Sequence, residues 1–585
     1  MGISETNNKK FNSIFKVLCI ILAVGSALAA IKCIFVGLQM DEEYAMTLSY
    51  RLMHGDRLLT EVWDPHQTSA FLLSIIEWVW TTVTGTTTFL MVWCRIVTTF
   101  LHFLVCFYLY KTLAIHLSKM DSFLISMVIF GILPKEFIIP EFSLMTFWFL
   151  LLIAIVLYRM KFYKKDKMTF RSFLMAASLG LYCVCLVLSY PSCAIVVAFI
   201  LIYLVVRRKD YTPFSLITYL ATMLVITIGY FAYLLSYMSV GEIKDNIHFA
   251  LDNCASHNQT VFYRFEVAGK DLIILLAMII SCFLVSLLIF GVIYLIKRSS
   301  MGKADKSEIL IYVSAISVVV SCLVKIFLNI SHVFKIRYGY DNAYIFFIFI
   351  FAIIIAFTKK IKLGKVQSVF IVISSFLAYV SVMLLTNMNS FRTVKYLSPV
   401  IALSLIVIVV ASDRENRLYK LLRVIFLIIA FTVIFHKGMY YPANADDSLN
   451  ITDIRYVIHT SAAKGIFTEY MVGYIYDSTY EDWQEYVKDE DNVFMWNNNT
   501  MPYLNKKDVG ISSYTTICTP SYYLSSLNEY YEINPDKYPD VIIVPCWFGE
   551  LQVDPNDSLY IWIDQEYGAK DVYISDYFKY YIKRD

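Results

Sequence analysis

Between Phe11 and His436 the chain returns again and again to apolar stretches of about twenty residues. No water reaches the backbone inside a bilayer, so each such stretch must close its own hydrogen bonds as a helix. Thirteen spanning helices are expected, near residues 13–37, 88–110, 120–138, 141–158, 171–188, 190–206, 213–237, 270–296, 308–330, 342–358, 366–386, 395–411 and 419–436. The first is long and lacks a small-residue cleavage site, which reads as a retained helix rather than a removed signal peptide. Composition agrees: 58% of the 585 residues are apolar and 17% charged, against about 25% charged in a soluble protein. Mean hydropathy is +0.60. A soluble enzyme is excluded.

Fifty basic and 47 acidic residues leave a net charge of +3, too little to neutralise a run of phosphates, so nucleic acid is not an expected partner. The 12 cysteines are scattered, most of them in apolar stretches, with no CxxC or Cys/His zinc spacing. Lys and Arg collect in alternate loops: at Lys9 and Lys10, at Lys111 and Lys119, between Arg159 and Arg171, from Arg207 to Lys209, from Lys297 to Lys306, from Lys359 to Lys365 and from Arg414 to Arg423. Such loops face the cytoplasm. The N-terminus is therefore expected inside and, after thirteen crossings, the C-terminal end outside. Residues 68–84 are apolar enough for a fourteenth span, which would flip every later basic loop. They are expected as an interfacial or re-entrant helix with Glu77 on its wet side; an ordinary span that breaks the charge rule is the alternative.

Most remaining polar residues of the helical part fall in four exoplasmic segments. The first runs from Gln39 through Asp41, Glu42 and Glu43 to Trp63-Asp64-Pro65-His66-Gln67. Clustered carboxylates raise one another's pKa and serve as a general base or hold a divalent cation; a solvated acidic helix start is the plainer reading. The second, Pro134 to Glu141, brings Glu136 and Glu141 to the same face, with Glu141 also placed to cap the next helix. The third, Gly241 to Lys270, is amphipathic and carries Asp245, His248, Asp252, His257 and Arg264, a length that suits a loop over a cleft or a solvated connector. The fourth combines Lys335, Arg337 and Asp341 with Arg392 and Lys395. Cations against the positive-inside trend fit a phosphate at the outer interface, or else snorkel.

Asp41-Glu-Glu-Tyr directly after a span, Arg51-Leu-Met-His-Gly55, Asp64-Pro-His, Gly85, Arg95 and an acid at Glu141 together resemble the GT-C glycosyltransferases. Within them the branch of protein O-mannosyltransferases and the lipid A aminoarabinose transferase is the most similar. The likeness is good over roughly the first 210 residues and architectural beyond them. It departs from the family where His66 stands in place of a second proline, and where Glu141 replaces the commoner Asp. The resemblance implies a GT-C-like fold, a sugar donor carried on a polyprenyl phosphate, and an acid of the first loop as base, a role that passes to Asp41 and Glu42. It also implies that Glu141, together with Asp64 and His66, helps bind the acceptor or a metal, so Mg or Mn is the cofactor in prospect. The partners would be the lipid-linked donor, membrane lipid and an acceptor glycan, lipid or protein.

The chemistry asks for the same parts: a carboxylate to take the acceptor proton and cations to stabilise the departing phosphate. Arg337, Arg392 and Lys395 are the candidates for the phosphate. From Gly438 onward the composition turns polar and Tyr-rich, so residues 1–437 read as a transmembrane domain and 438–585 as a soluble α/β domain. Helices are expected at Asp453–Gly465, Glu481–Lys488 and Pro555–Tyr567, and strands at Asn492–Trp496, Val541–Pro545 and Tyr577–Lys583. Cys518 and Cys546 are both placed outside and are free to pair or to stay buried thiols. The competing classes are a transporter or lipid flippase, which asks for internal repeats and charges paired at mid-bilayer, and an adhesion or scaffold protein working through its outer domain. Lys325 is the clear mid-span cation, and no repeat is visible.

Overall fold

The computed structural model describes residues 2–584 apart from 65, 161–168, 212, 253–260, 297–305, 332–338, 362–364, 386–387, 415–417, 443–447, 498 and 518–523. Arg337, Lys335, His257 and Cys518 therefore lie outside the described residues. The first eleven helices are α1 (Gly2–Phe35), α2 (Met40–Met53), α3 (Ala70–Thr84), α4 (Leu90–Leu113), α5 (Lys119–Gly131), α6 (Phe142–Met160), α7 (Phe170–Ser189), α8 (Ala194–Val206), α9 (Pro213–Leu235), α10 (Val240–Asp252) and α11 (Val261–Ile296). Helices Lys306–Ser331, Ala343–Thr358, Lys365–Leu385, Ser398–Arg414 and Tyr419–Met439 complete the bundle.

The protein is a multi-pass helical membrane protein, but thirteen full-length spans are not what it has. Among the described residues ten helices are long and apolar enough to cross, and a pair bent by 72°, Ser390–Tyr396 with Ser398–Ser412, makes up to eleven. The expected spans at 120–138 and 190–206 are the 13-residue helices α5 and α8, each reaching about 20 Å at about 1.5 Å per residue, short of a hydrocarbon core of about 30 Å. Pro134 forbids continuation of α5, and Gly131 already sits so tightly against Val433 that a Cβ there would lie 2.5 Å from its Cγ1. Nevertheless α5 joins both ends of the bundle. Near its start Asp121 pairs with Arg423 in the first turns of the Tyr419–Met439 helix, and at its end the Phe130 carbonyl accepts from Lys437 in that helix's last turn, at 3.1 Å. Residues 132–141 then run as buried non-helical backbone, which membrane depth tolerates only where protein or a water-filled cavity surrounds it.

The segment 68–84 forms α3, whose 15 residues are too few to cross. Its expected orientation is inverted. Glu77 is fully buried, while Ile75, Trp78, Val79 and Val83 point outward. A helix lying in the interface turns its apolar face to lipid, so Glu77 goes to the protein side against α4, where Trp93 Nε1 donates to the Ile76 carbonyl at 3.0 Å.

Among the described residues ten strands follow: β1 (Tyr440–Pro442), β2 (Ser448–Asn450), β3 (Tyr456–Val457), β4 (Phe467–Thr468), β5 (Asn492–Met495), β6 (Gly510–Ile511), β7 (Val541–Trp547), β8 (Glu550–Leu551), β9 (Asp571–Ile574) and β10 (Phe578–Ile582). The main sheet has the order β6-β5-β7-β10-β9, with β5 parallel to β6 and β7, and β10 antiparallel to β7 and β9. β5, β7 and β10 overlie the expected strands. The expected helix at Asp453–Gly465 is instead a short 3-10 turn followed by β3, because its backbone groups pair with β4 rather than with one another. The expected helix at Glu481–Lys488 is the end of a longer one, Tyr470–Tyr486.

This C-terminal region sits on α2 and the loop after it. The Tyr50 hydroxyl donates to the Lys507 carbonyl at 2.8 Å and accepts from the Val509 amide at 3.1 Å. Arg51, fully buried, binds Asp56 at 2.7 Å and the Ser513 carbonyl at 2.8 Å. Trp63 packs into the aromatic core with Phe494, Tyr514 and Tyr530. The first loop and the strand-rich region therefore share one end of the bundle.

Removing one partner of a buried ion pair costs about 3–5 kcal/mol. Asp121→Ala is expected to lower Tm in detergent accordingly, and adding Arg423→Leu to recover much of the loss.

Candidate active site

Gln39 caps α2, its side-chain oxygen accepting from the Asp41 amide at 2.6 Å. That cap places Asp41, Glu42 and Glu43 in one helical turn, where successive side chains diverge by about 100°. The three carboxylates therefore go to three different places. Asp41 keeps 31% of its side chain exposed and pairs with Lys135 at 2.8 Å. Glu42 is fully buried and takes a two-pronged bond from Arg95 at 2.6 Å on each oxygen; Arg95 also donates to the Gly37 carbonyl at 2.7 Å. Glu43, also buried, accepts from the Tyr476 hydroxyl. Of the two expected catalytic acids, Asp41 is reachable and Glu42 is committed to closing α1, α2 and α4 together.

Lys135 is the residue that sequence reasoning missed. Its ammonium lies 2.8 Å from Asp41, 3.9 Å from Glu141 and 3.9 Å above the Phe142 ring. His66 stacks on the other partner of that group, its ring centroid 4.0 Å from that of Phe142. Glu141 caps α6 by accepting from the Ser143 and Leu144 amides at 2.7 and 2.8 Å. Asp41, Lys135, Glu141 and His66 thus form one group around Phe142. Asp64 does not join it: buried, it accepts from the Thr516 amide at 3.3 Å and faces Arg51 and the C-terminal region.

Charge states follow from these neighbours. Burial pushes the Asp41 carboxyl up, but the Lys135 ammonium beside it, with the Gln39 hydrogen bond and Arg392, more than offsets this and holds it below its usual range. Burial wins at Glu141, whose carboxyl is raised despite Lys135 and the two amides. Burial likewise lifts Asp64 to about 6 and Glu43 to about 8.

A second group lies one residue away. Glu136 pairs with Lys395 and is 3.1 Å from His436. Lys325, fully buried, pairs with Asp341 at 2.5 Å, and His436 lies among Lys32, Lys325 and Lys395. Lys32 donates to the Tyr440 carbonyl and Lys437 to that of Phe130. Four lysines against two carboxylates leave an excess of positive charge when all are protonated. Arg392 is close enough to Asp41 to help lower its pKa. Its Cγ would be 3.0 Å from any Cβ at residue 339, so Gly339, at φ +67°, leaves it room. Lys32 and Lys437 were hidden because each stands at the end of an apolar stretch. The usable signal was that these ends are the ones opposite the basic loops.

Among the described residues no three His, Cys, Asp or Glu converge on a common point. A divalent cation bridging Asp41 and Glu141 would compete with the Lys135 ammonium for that position. No protein-family model and no curated protein matches the chain.

Glu43 supplies a stability test. An acid whose folded pKa is raised adds stability that is complete below its unfolded value and is lost as pH rises through the folded one. The Tm should therefore fall as pH climbs from about 4.5 to about 8. Glu43→Gln, which keeps a neutral carbonyl acceptor for Tyr476, should flatten that slope in a pH series of melting curves.

Proposed function

We propose that the chain is an integral-membrane glycosyltransferase that moves a sugar from a polyprenyl-phosphate donor to an acceptor hydroxyl. The observation that carries this reading is the juxtaposition of an ionised, partly exposed carboxylate, Asp41, with a buried cluster of lysines at the same end of the bundle. In this mechanism the acceptor oxygen bonds to the sugar C1 while the bond from C1 to the phosphate oxygen breaks. The acceptor proton passes to Asp41, and polyprenyl phosphate leaves with both electrons of the broken bond. A carboxylate of lowered pKa is a weak base in the ground state. It becomes competent once C1 has drawn electron density from the acceptor oxygen and acidified its proton. Lys135 keeps Asp41 ionised, and Arg392 with the lysine cluster stabilises the charge that develops on the phosphate.

A lipid-borne donor accounts for the placing of these groups at the bundle end, where a phosphate sits at the interface and its chain lies in the bilayer. In this reading the N-terminus is cytoplasmic, the C-terminal region exoplasmic, and the architecture GT-C-like. In this reading the family's roles pass to Asp41 and Glu141, while the fold engages Glu42 with Arg95 and Asp64 with Thr516.

Asp41→Asn preserves size but cannot take a proton. Turnover, read as polyprenyl phosphate released from a panel of lipid-linked sugars, is expected to fall about 10²–10⁴-fold with Tm unchanged. Normal turnover would place the base elsewhere. Arg392→Ala is expected to weaken donor affinity about 10- to 100-fold, the value of one charge-assisted bond to phosphate, with donor saturation as the measurement.

One observation favours a second reading. The pairs Lys325–Asp341 and Lys395–Glu136 are buried inside the bundle, as a transporter or flippase of an anionic lipid would have them. Movement of a labelled anionic lipid across vesicles, with no polyprenyl phosphate released from any donor, would decide for it.

A further inference from the structure

The C-terminal region carries an aromatic surface that neither the site nor the sheet core uses. Tyr470 and Tyr474 stack at 6.1 Å on the first turns of their helix, and Tyr474 meets the edge of buried Tyr577 at 6.3 Å. Trp547 and Phe548 close on the same Tyr577 at 5.4 and 6.1 Å. Phe548 is 64% exposed, Tyr470 55% and Trp547 41%, with Phe467 exposed alongside. Contiguous apolar surface of this kind marks an interaction site.

Position identifies the partner. Gly37, two residues beyond the end of the α1 span, donates to the Phe467 carbonyl at 2.9 Å, and the Met91 amide, at the start of α4, donates to the Ala462 carbonyl at 3.0 Å. The strand that leads into Tyr470 and the turn before it are therefore stitched to the ends of two membrane spans. β5 and β7 run parallel, so Met495 and Trp547 end on the same side. On that side the Thr500 carbonyl after β5 accepts from Thr47 of α2 at 3.1 Å, and Tyr474, six residues beyond Thr468, meets Tyr577 beside Trp547. The aromatic surface thus continues from the span ends at the level where a bilayer meets water.

Backbone geometry gives an independent argument. Phe548 and Gly549 form the two-residue turn between β7 and β8, with φ of +48° and +87°. Such turns favour Asn-Gly, and a bulky residue in the left-handed region is an outlier. Among the described residues the Phe548 ring meets other rings only within the aromatic surface itself, at Trp547 and Tyr577, and still stands 64% exposed.

We propose that this surface is a foot by which the C-terminal region rests in the headgroup layer of the bilayer beside α1. Amphipathic aromatic rings prefer that layer, apolar body inward and polar edge to water. The occupant is the lipid surface itself.

The test uses the full chain in phosphatidylcholine vesicles whose lipids are brominated near the carbonyl end of the acyl chain. Emission from Trp547 is isolated as the difference between the protein and its Trp547→Phe variant. It is expected to be quenched by the brominated lipid and protected from iodide. Phe548→Asn, compared with its own Trp547→Phe partner, should fold at least as well because it suits the turn, yet lose the lipid quenching. Three results would overturn the proposal: iodide quenching without lipid quenching, lipid quenching unchanged by Phe548→Asn, or protection of Trp547 by a soluble oligosaccharide, which would make the surface a glycan platform.

Discussion

The bond between Arg95 and Glu42 is the constraint on which the working end of this protein depends. Two charges removed from water cost several kcal/mol each unless every hydrogen bond is met. Here the guanidinium meets both oxygens of Glu42 and the carbonyls of Gly37 and Ile34. It thereby locks the end of α1, the start of α2 and the first turns of α4 into one unit. The direction of Glu42 fixes the helical phase of α2, and that phase turns Asp41 toward Lys135 and Glu43 toward the C-terminal region.

A bundle in lipid has little hydrophobic reason to hold one helix against another, so packing and polar pairs decide the arrangement. The buried pairs here occur at both ends of the short helix α5: Asp121 with Arg423 on one side, and Glu136 with Lys395 and His436 just beyond the other. The helix is too short to reach across. Its continuation as non-helical backbone, with Glu136 at φ +68°, lets Lys135, Glu136 and Glu141 stand where a longer helix would have carried apolar residues. The reactive group that the proposed transfer needs is a product of that interruption, which begins at Gly131 and Pro134.

Several expectations failed for reasons that can be named. Glu77 was expected to face water because a charge on an apolar helix usually does, but α3 has lipid on its outer side, so protein is the more polar neighbour. Segments 120–138 and 190–206 matched spans in composition, and only the positions of breaks inside them made them short. Residues Asp453–Gly465 had the pattern of a helix, but Tyr456 and Val457 pair with β4 and the Ala462 carbonyl accepts from Met91 of α4, far away in sequence. Asp41 and Glu141 were legible as neighbours because both follow directly from span ends on one side. Lys135 was not, because nothing local distinguishes it from Glu136 beside it.

By itself the sequence determined that the chain is a multi-pass helical membrane protein, which ends of its helices carry acids and which carry basic clusters, and that its last quarter, rich in strands and tyrosines, differs in kind. Hydropathy is a property of consecutive residues, so these statements need no knowledge of neighbours. Tertiary structure alone decided which carboxylate of Asp41-Glu42-Glu43 stays accessible, which cations gather beside it, and which apolar segments fall short. Those outcomes depend on charges brought together from positions as far apart as 32 and 437, and in a low-dielectric bundle such pairings override any local preference.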